Sequence, residues 1–347
     1  MVFWLLISCL ALASGCGQPT DAFDVPPHRS PQGFHNLYLK PPQERPMGFF
    51  RWKLGLGPHE SPALPPEEVP PYRARIASPD RNHINGPDPR RIQVTWIGHS
   101  TFLVQVAGLN LLTDPIFSER ASPVSFAGPR RYAPPGLSWA ELPRIDAVVI
   151  SHNHYDHLDL ATVKRLGNRT RFYVPLGVAA WFREAGIYNV VELDWGQQAE
   201  FGPLTFHCVP AQHFSARGLW DRNAVLWCSW VLESPGGKVF FSCDTGYSPA
   251  ARNIGEGFGP FRLSLLPIGG YQPRWFMGKM HVNPPEAVKM HWDLRSEQSL
   301  GMHWGTFKLT DEPMGEPPLY LSRALKEAAV PAKEFQVLKF GETRVFP

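Results

Sequence analysis

Cysteine and net charge are both scarce in this chain, and each scarcity closes off a class of protein. Only 5 Cys occur in 347 residues and none forms a CxxC pair, so neither a disulfide framework nor a thiolate zinc site is encoded. A net charge of +3 is too weak to mark a nucleic-acid binder. The apolar run at residues 3–13 is too short to span a bilayer as a mature helix. What the chain does have is 37 Pro and 12 Trp, which point to long irregular segments and aromatic-rich surfaces or pockets rather than a helical bundle. Its 43% hydrophobic content permits a full core, and the length suits one large or two ordinary domains.

The N-terminus reads as an export signal. Ala13-Ser14-Gly15-Cys16 follows the apolar run and resembles a bacterial lipoprotein cleavage box, with Cys16 as the lipidated first residue of the mature chain. Two features depart from the pattern: no Lys or Arg precedes the run, and Ala13 stands where Leu is commoner. An ordinary cleaved signal with a free Cys16 is the alternative. Lipidation predicts an envelope protein anchored on the periplasmic or outer-membrane side. The organisation expected is a signal over 1–16, an arm over 17–91 and a catalytic domain over 92–347. In the arm, prolines recur too densely for regular elements, apart from one short helix over 47–56. Its aromatics either wrap the catalytic body or meet lipid.

From Ile92 the texture changes to short strands and helices. Strands are predicted over 92–97, 101–106, 109–113, 147–150, 172–175, 190–193, 204–209, 225–232, 238–242, 263–268 and 299–302. Helices are predicted over 160–166, 177–184 and 284–294, the last with proline in its first turn. This alternation indicates an α/β layered fold.

The stretch Ser151-His-Asn-His-Tyr-Asp-His-Leu-Asp159 follows a buried apolar strand and precedes a helix capped by Asp159. Alternation along an extended segment puts His152, His154 and Asp156 on one side, and the turn into the helix redirects His157. Satisfied core histidines are the plain alternative. It fares badly, because three imidazoles and a carboxylate crowded at a strand end would lack partners without an ion to share. Imidazole and carboxylate donors suit zinc, and separate sets in one loop suit two metals.

Three later strand ends carry His213, Asp244 and His303, where a rigid scaffold presents reactive groups on loops. His152, His154 and His213 would then hold one metal, and Asp156, His157 and His303 the other, with Asp244 bridging. Two divalent ions about 3.5 to 4 Å apart lower the pKa of a shared water toward neutrality. Asp114 is placed either to fix the tautomer of a ligating histidine or to cap its turn. His99 faces the metals or bonds backbone. His281 contacts the scissile group, serves as acid to the leaving oxygen, or sits in solvent. Tyr155, Arg217 and Trp275 are the other substrate-contact candidates. Arg217 alternatively faces water, and Trp275 alternatively packs in the core beside an ion-paired Arg274. Cys208 and Cys228 lie on neighbouring predicted strands, but nothing encodes a pairing.

The metal cluster is that of the metallo-β-lactamase fold, and longer stretches resemble one family, the N-acylphosphatidylethanolamine-hydrolysing phospholipase D enzymes. The matching segments are TWIGHST (95–101), LTDPIF (112–117), IDAVVISHNHYDHLD (145–159), CDTGY (243–247), PIGGYQPRWFM (267–277) and HWGTF (303–307). His281-Val282 and Pro285 to Val288 continue the match. The resemblance covers the chain from about Gly33 to Arg344. It implies an αββα sandwich, two Zn²⁺ on the seven ligands above, and cleavage of a membrane phospholipid to phosphatidic acid and an N-acylethanolamine. This chain departs from the family at its export signal, and at Gly270 and Asn283, where members carry Ala and Asp; those positions bear on head-group and acyl preference. Two other functions compete: a hydrolase of a soluble substrate such as a sugar-phosphate lactone, and an envelope lipoprotein that only binds metal or lipid. A homodimer is left open.

Overall fold

The computed structural model describes residues 27–40, 47–218 and 220–346. The expected export signal and Cys16 lie outside the described residues. The arm contributes a two-stranded hairpin, β1 (Arg29–Ser30) and β2 (Gly33–Phe34), then helices α1 (Met47–Lys53) and α2 (Arg81–Asn85). Helix α1 ends three residues before the predicted 47–56 boundary, because Gly55 takes a left-handed φ of 67°.

The catalytic body is two seven-stranded sheets face to face with helices outside. In the first, β3 (Ile92–Gly98), β4 (Thr101–Val106) and β5 (Leu109–Thr113) form an antiparallel meander. Parallel strands β6 (Ala147–Val149), β7 (Arg171–Pro175) and β8 (Val190–Leu193) extend it, with α3 (Leu160–Leu166) and α4 (Ala179–Glu184) as crossovers. The second sheet repeats the scheme. Antiparallel β9 (Gln198–Phe201), β10 (Leu204–Val209), β11 (Ser229–Ser234) and β12 (Gly237–Phe241) are followed by parallel β13 (Leu263–Pro267), β14 (Ser299–Met302) and β15 (Phe335–Gln336). Helices α5 (Ala250–Phe258), α6 (Arg274–Met277), α7 (Pro284–Asp293) and α8 (Glu316–Glu327) belong to this half. Strand β16 (Thr343–Phe346) then crosses back to pair with β3 in the first sheet.

Strands such as β3 and β4 read as continuous apolar runs because both of their faces are covered. One core lies between the sheets, where the Tyr173 and Phe206 rings stack with centroids 4.0 Å apart. Two others lie under the helices, one beneath α3 and α4 and one beneath α5, α7 and α8. Hydrogen bonds also join the sheets at the site end: Trp230 Nε1 donates to Ile150 O at 3.0 Å, and Cys228 N to Ser151 O at 2.9 Å.

Two differences from the sequence reading have plain causes. The predicted strand over 225–232 begins only at Ser229, since the backbone N–H groups of Leu226 and Cys228 go to Leu176 and Ser151 of the opposite layer and leave the ladder. Helix α8 was not predicted because Pro317 and Pro318 open it; proline is tolerated in a first helical turn, where the N–H groups lack intrahelical partners anyway. Cys208, Cys228 and Cys243 are buried and free.

Candidate metal centre

The site forms where loops at the ends of β3, β5, β6, β10, β12, β13 and β14 meet, and several of them are sharply turned. Four non-glycine residues there sit at left-handed φ: His99 (53°), Asp114 (33°), Cys243 (56°) and His303 (59°). Such backbone is costly for a residue with a Cβ and persists only where surrounding contacts over-determine it.

His152, His154 and His213 come together, with ring nitrogens within 4.8 Å of one another. His154 Nδ1 lies 2.8 Å from His152 Nε2 and 3.3 Å from His213 Nε2. The outer nitrogens fix the tautomers. Ser151 Oγ donates to Asp114 Oδ2 at 2.5 Å, so His152 Nδ1 at 2.8 Å must be the donor to Ser151 Oγ. His213 Nδ1 likewise donates to Met280 O at 3.1 Å. The inward Nε2 atoms of His152 and His213 therefore carry lone pairs that converge with His154 on one point.

Asp156, His157 and His303 form the second set, joined by His99. Asp156 Oδ2 is 3.3 Å from His157 Nε2 and 3.5 Å from His303 Nε2. Asp244 lies between the sets: its Oδ2 is 3.1 Å from both His157 Nε2 and His303 Nε2, and 3.9 Å from His213 Nε2. His157 Nδ1 donates to Asp114 Oδ2 at 2.7 Å, turning its Nε2 inward.

The residues present fit a pair of metal ions. His157 Nε2, His303 Nε2 and Asp244 Oδ1 are buried without a hydrogen-bond partner, and such groups are costly unless something satisfies them. Converging imidazole and carboxylate donors suit a borderline cation such as zinc. The charges point the same way. Burial pushes Asp156 and Asp244 up, but the surrounding imidazoles together, His157 foremost at Asp156 and His303 with His157 at Asp244, outweigh it and hold both carboxyls well below the usual range. Burial presses His303 down, yet Asp244 and Asp156 keep it up at about 9. His157 is raised in the same way. Without metal, the two carboxylates thus draw protons onto the imidazoles that a dication would displace.

Of the remaining sequence candidates, Asp114 anchors His157 and, through Ser151, His152. His99 Nε2 bonds Asp156 Oδ2 at 2.9 Å, so it orients a ligand. His281 is half-buried and converges with His213 and Asp244. Burial holds it at about 3, so its ring is neutral near pH 7 and available as a hydrogen-bonding group. Arg217 straps the metal loop instead of standing free for a phosphate: Nη1 donates to Asn153 O at 2.8 Å and Leu158 O at 2.9 Å, and the guanidinium covers the Tyr155 ring at 4.0 Å. The Tyr155 hydroxyl donates to Arg217 O at 3.1 Å. Trp275 packs against Gly57 of the arm, while Arg274 forms a two-pronged ion pair with Glu286, so this segment is a packing element.

Of the two departures from the resembled family, Asn283 caps α7 in a reciprocal capping box with Glu286, a role that Asp also fills. Gly270 has φ 83°, and a Cβ there would lie 3.0 Å from both His281 Nδ1 and His303 Cε1. Glycine thus lets the two imidazoles close on the turn. Sequence reasoning missed Ser151 and Glu312. Glu312 accepts from Gly270 N at 2.6 Å and Gln272 N at 3.1 Å, holding that turn. Ser151 was legible as the motif's first letter; Glu312 left no local signal.

The Asp114 network yields a direct expectation. Asp114→Asn should lower metal affinity about 10- to 100-fold, the range for an outer partner of a ligating histidine, measured by competition with a chromogenic chelator. Unchanged affinity would show that Asp114 only shapes its turn.

Residues 109–304 match the family described as Beta-lactamase superfamily domain. The chain is 44% identical over 240 residues to N-acyl-phosphatidylethanolamine-hydrolyzing phospholipase D 1 of Caenorhabditis elegans, covering 65% of this chain and 66% of that protein. It is 30% identical to a UPF0173 metal-dependent hydrolase of Methanopyrus kandleri, covering 73% of this chain and 99% of that one. Among solved structures, the metallo hydrolase Igni18 from Ignicoccus hospitalis superposes with a TM-score of 0.56 at 23% identity, over 74% of this chain and 99% of that one. With the sandwich, the strand-end His/Asp cluster and these relatives together, the chain belongs to the β-lactamase superfamily and is a hydrolase of the metallo-β-lactamase fold.

Proposed function

We propose that the protein is a binuclear zinc phosphodiesterase that cleaves N-acylphosphatidylethanolamine, or a related glycerophospholipid, to phosphatidic acid and an N-acylethanolamine. The observation that carries this reading is Asp244 Oδ2, placed 3.1 Å from His157 Nε2 and His303 Nε2 and facing His213 as well. A carboxylate that faces both ligand sets suits a two-ion site. The substrate is supported by the names of two relatives, 44% and 38% identical over 65% and 64% of this chain.

The ions, when bound, supply Lewis acidity for activating water and neutralising the attacked phosphoryl oxygens. The protein's own groups do the rest. Asp114 and Ser151 lock two imidazoles with Nε2 inward, and His99 holds Asp156 in place. His281, neutral and half-buried beside His213 and Asp244, can donate a hydrogen bond from a ring N–H to the departing amino-alcohol oxygen, whose proton comes in the balance from the attacking water. Beside the metal loop runs a cleft of about 490 Å³ lined by Val124, Leu160 and Trp181 and also by Glu119, Arg120 and Asp159. Its apolar part would border an acyl chain.

Access from a lipid surface is part of the proposal. Phe49, Phe50, Leu54 and Leu56 of the arm stand 47%, 52%, 68% and 63% exposed, an unusual concentration for a soluble face. Trp52 packs against Phe276 of α6 with ring centroids 5.5 Å apart, which ties this patch to the segment that precedes His281 in the chain. Among the described residues no helix is long and apolar enough to cross a membrane; attachment would come from lipidated Cys16 together with this patch. The test is direct. Purified protein lacking residues 1–16, loaded with zinc, should release N-acylethanolamine and phosphatidic acid from the lipid in detergent micelles, read by mass spectrometry. Silence on the lipid while a soluble lactone or phosphodiester turns over would sink the substrate assignment and leave the hydrolase.

A further inference from the structure

The arm does more than cover the body, because one of its side chains grips the backbone of a ligand residue. Asn36 is 2% exposed. Its Nδ2 donates to His213 O at 2.8 Å, and its Oδ1 accepts from His213 N at 3.0 Å. A carboxamide presents donor and acceptor side by side, so it satisfies both main-chain groups of one residue as a neighbouring strand would. His213 needs this, for β10 has ended at Val209 and its loop has no ladder to hold it. A buried peptide left without partners would be costly and free to turn, and a small rotation about the flanking bonds would swing Nε2 off the point shared with His152 and His154.

Asn36 itself is delivered by a fixed turn. Phe34 N donates to Asn223 O at 2.9 Å and His35 N to His28 O at 2.9 Å, while the His28 ring bonds Asp194 at 2.7 Å. Gly33, at φ 126°, packs so closely on Asn223 O that a Cβ would lie 2.2 Å from it. The other ligands of the first set have different supports: His152 leans on Ser151, and Arg217 ties the Asn153 carbonyl beside His154.

We propose that Asn36 is a positioning residue for the His152/His154/His213 set, so that the arm completes one of the two metal sites while the Asp156/His157/His303 set stands without it. This rests on the two-ion reading above. The experiment is metal stoichiometry by plasma mass spectrometry on the full chain, with chelator-driven release followed over time. Asn36→Ala should fall from two equivalents to about one and release the lost ion at least about tenfold faster, as when a ligand's outer support is removed. Asn36→Asp keeps the acceptor for His213 N–H and should recover part of the occupancy. His28→Ala, which loosens the turn without touching His213, should give a smaller shift the same way and serves if the Ala variant does not fold. Two equivalents with parental release in Asn36→Ala would overturn the proposal. Loss of both ions, with lower thermal stability of the metal-free form, would also overturn it by making the arm a general brace. A parent holding fewer than two equivalents would sink the two-ion reading itself, and this proposal with it.

Discussion

Asp244→Asn should lower kcat/KM by at least about a thousandfold, well beyond the 10- to 100-fold typical of outer partners of a metal ligand, and should drop metal content below two equivalents. The reason is positional. Asp244 Oδ2 is 3.1 Å from one imidazole nitrogen on each side of the second set and 3.9 Å from His213 of the first. Together with Asp156, its charge also overcomes the burial that presses His303 down. An amide of the same shape removes that charge, so both ligand sets lose a shared anion at once. Metal analysis and steady-state kinetics on one preparation decide the matter. A variant that kept two ions and near-parental turnover would remove the bridge from the mechanism.

Stripping the metal should have an effect of similar size on activity and a large one on stability. If the ions bind only the folded chain, holding free metal at 1,000 times the dissociation constant adds about 4 kcal/mol to folding, so chelation should lower the melting temperature by several degrees and re-addition should restore it. The pH dependence has a definite sign. In the metal-free chain His157 and His303 lie above their ordinary value, His303 at about 9, because Asp244 and Asp156 outweigh burial. A group with a raised folded pKa contributes stability that is fully present below its unfolded value, about 6.5 for histidine, and that is lost as pH climbs through the folded one. The stripped protein should therefore lose this contribution between about pH 6.5 and 9. The loaded protein, whose histidines bind metal in place of protons, should not. The gap between the two melting temperatures should widen with pH over that window, and a gap that stayed flat or narrowed would contradict the assignment of His157 and His303 as ligands.

The site was more legible than the framework around it. His152, His154, Asp156 and His157 announce themselves because four polar residues in six positions at the end of an apolar strand have no comfortable structural role. His213, Asp244 and His303 could be added because each follows a short apolar run that had to be a strand. The strands over 109–113, 190–193, 204–209 and 299–302 appear at the expected positions, since their patterns are local. What stayed hidden depends on distant partners. Leu226 and Cys228 leave the ladder because Leu176 and Ser151 accept their N–H groups. Strand β16 joins a sheet whose other members lie some 150 residues or more earlier. Asn36 and Glu312 hold the site through backbone groups of His213, Gly270 and Gln272 that no spacing connects to them. Arg217 and Trp275 looked like substrate groups because exposed cations and aromatics often are; here backbone carbonyls and an arm glycine occupy them.

The division of the sandwich carries one more consequence. Residues 152–157 belong to loops of the first sheet, while His213, Asp244 and His303 belong to the second, and the first sheet is finished only when the final strand pairs with β3. The ligand set is therefore complete only when both halves of the sandwich are present, so a fragment that ends before His303 should hold less metal than the full chain.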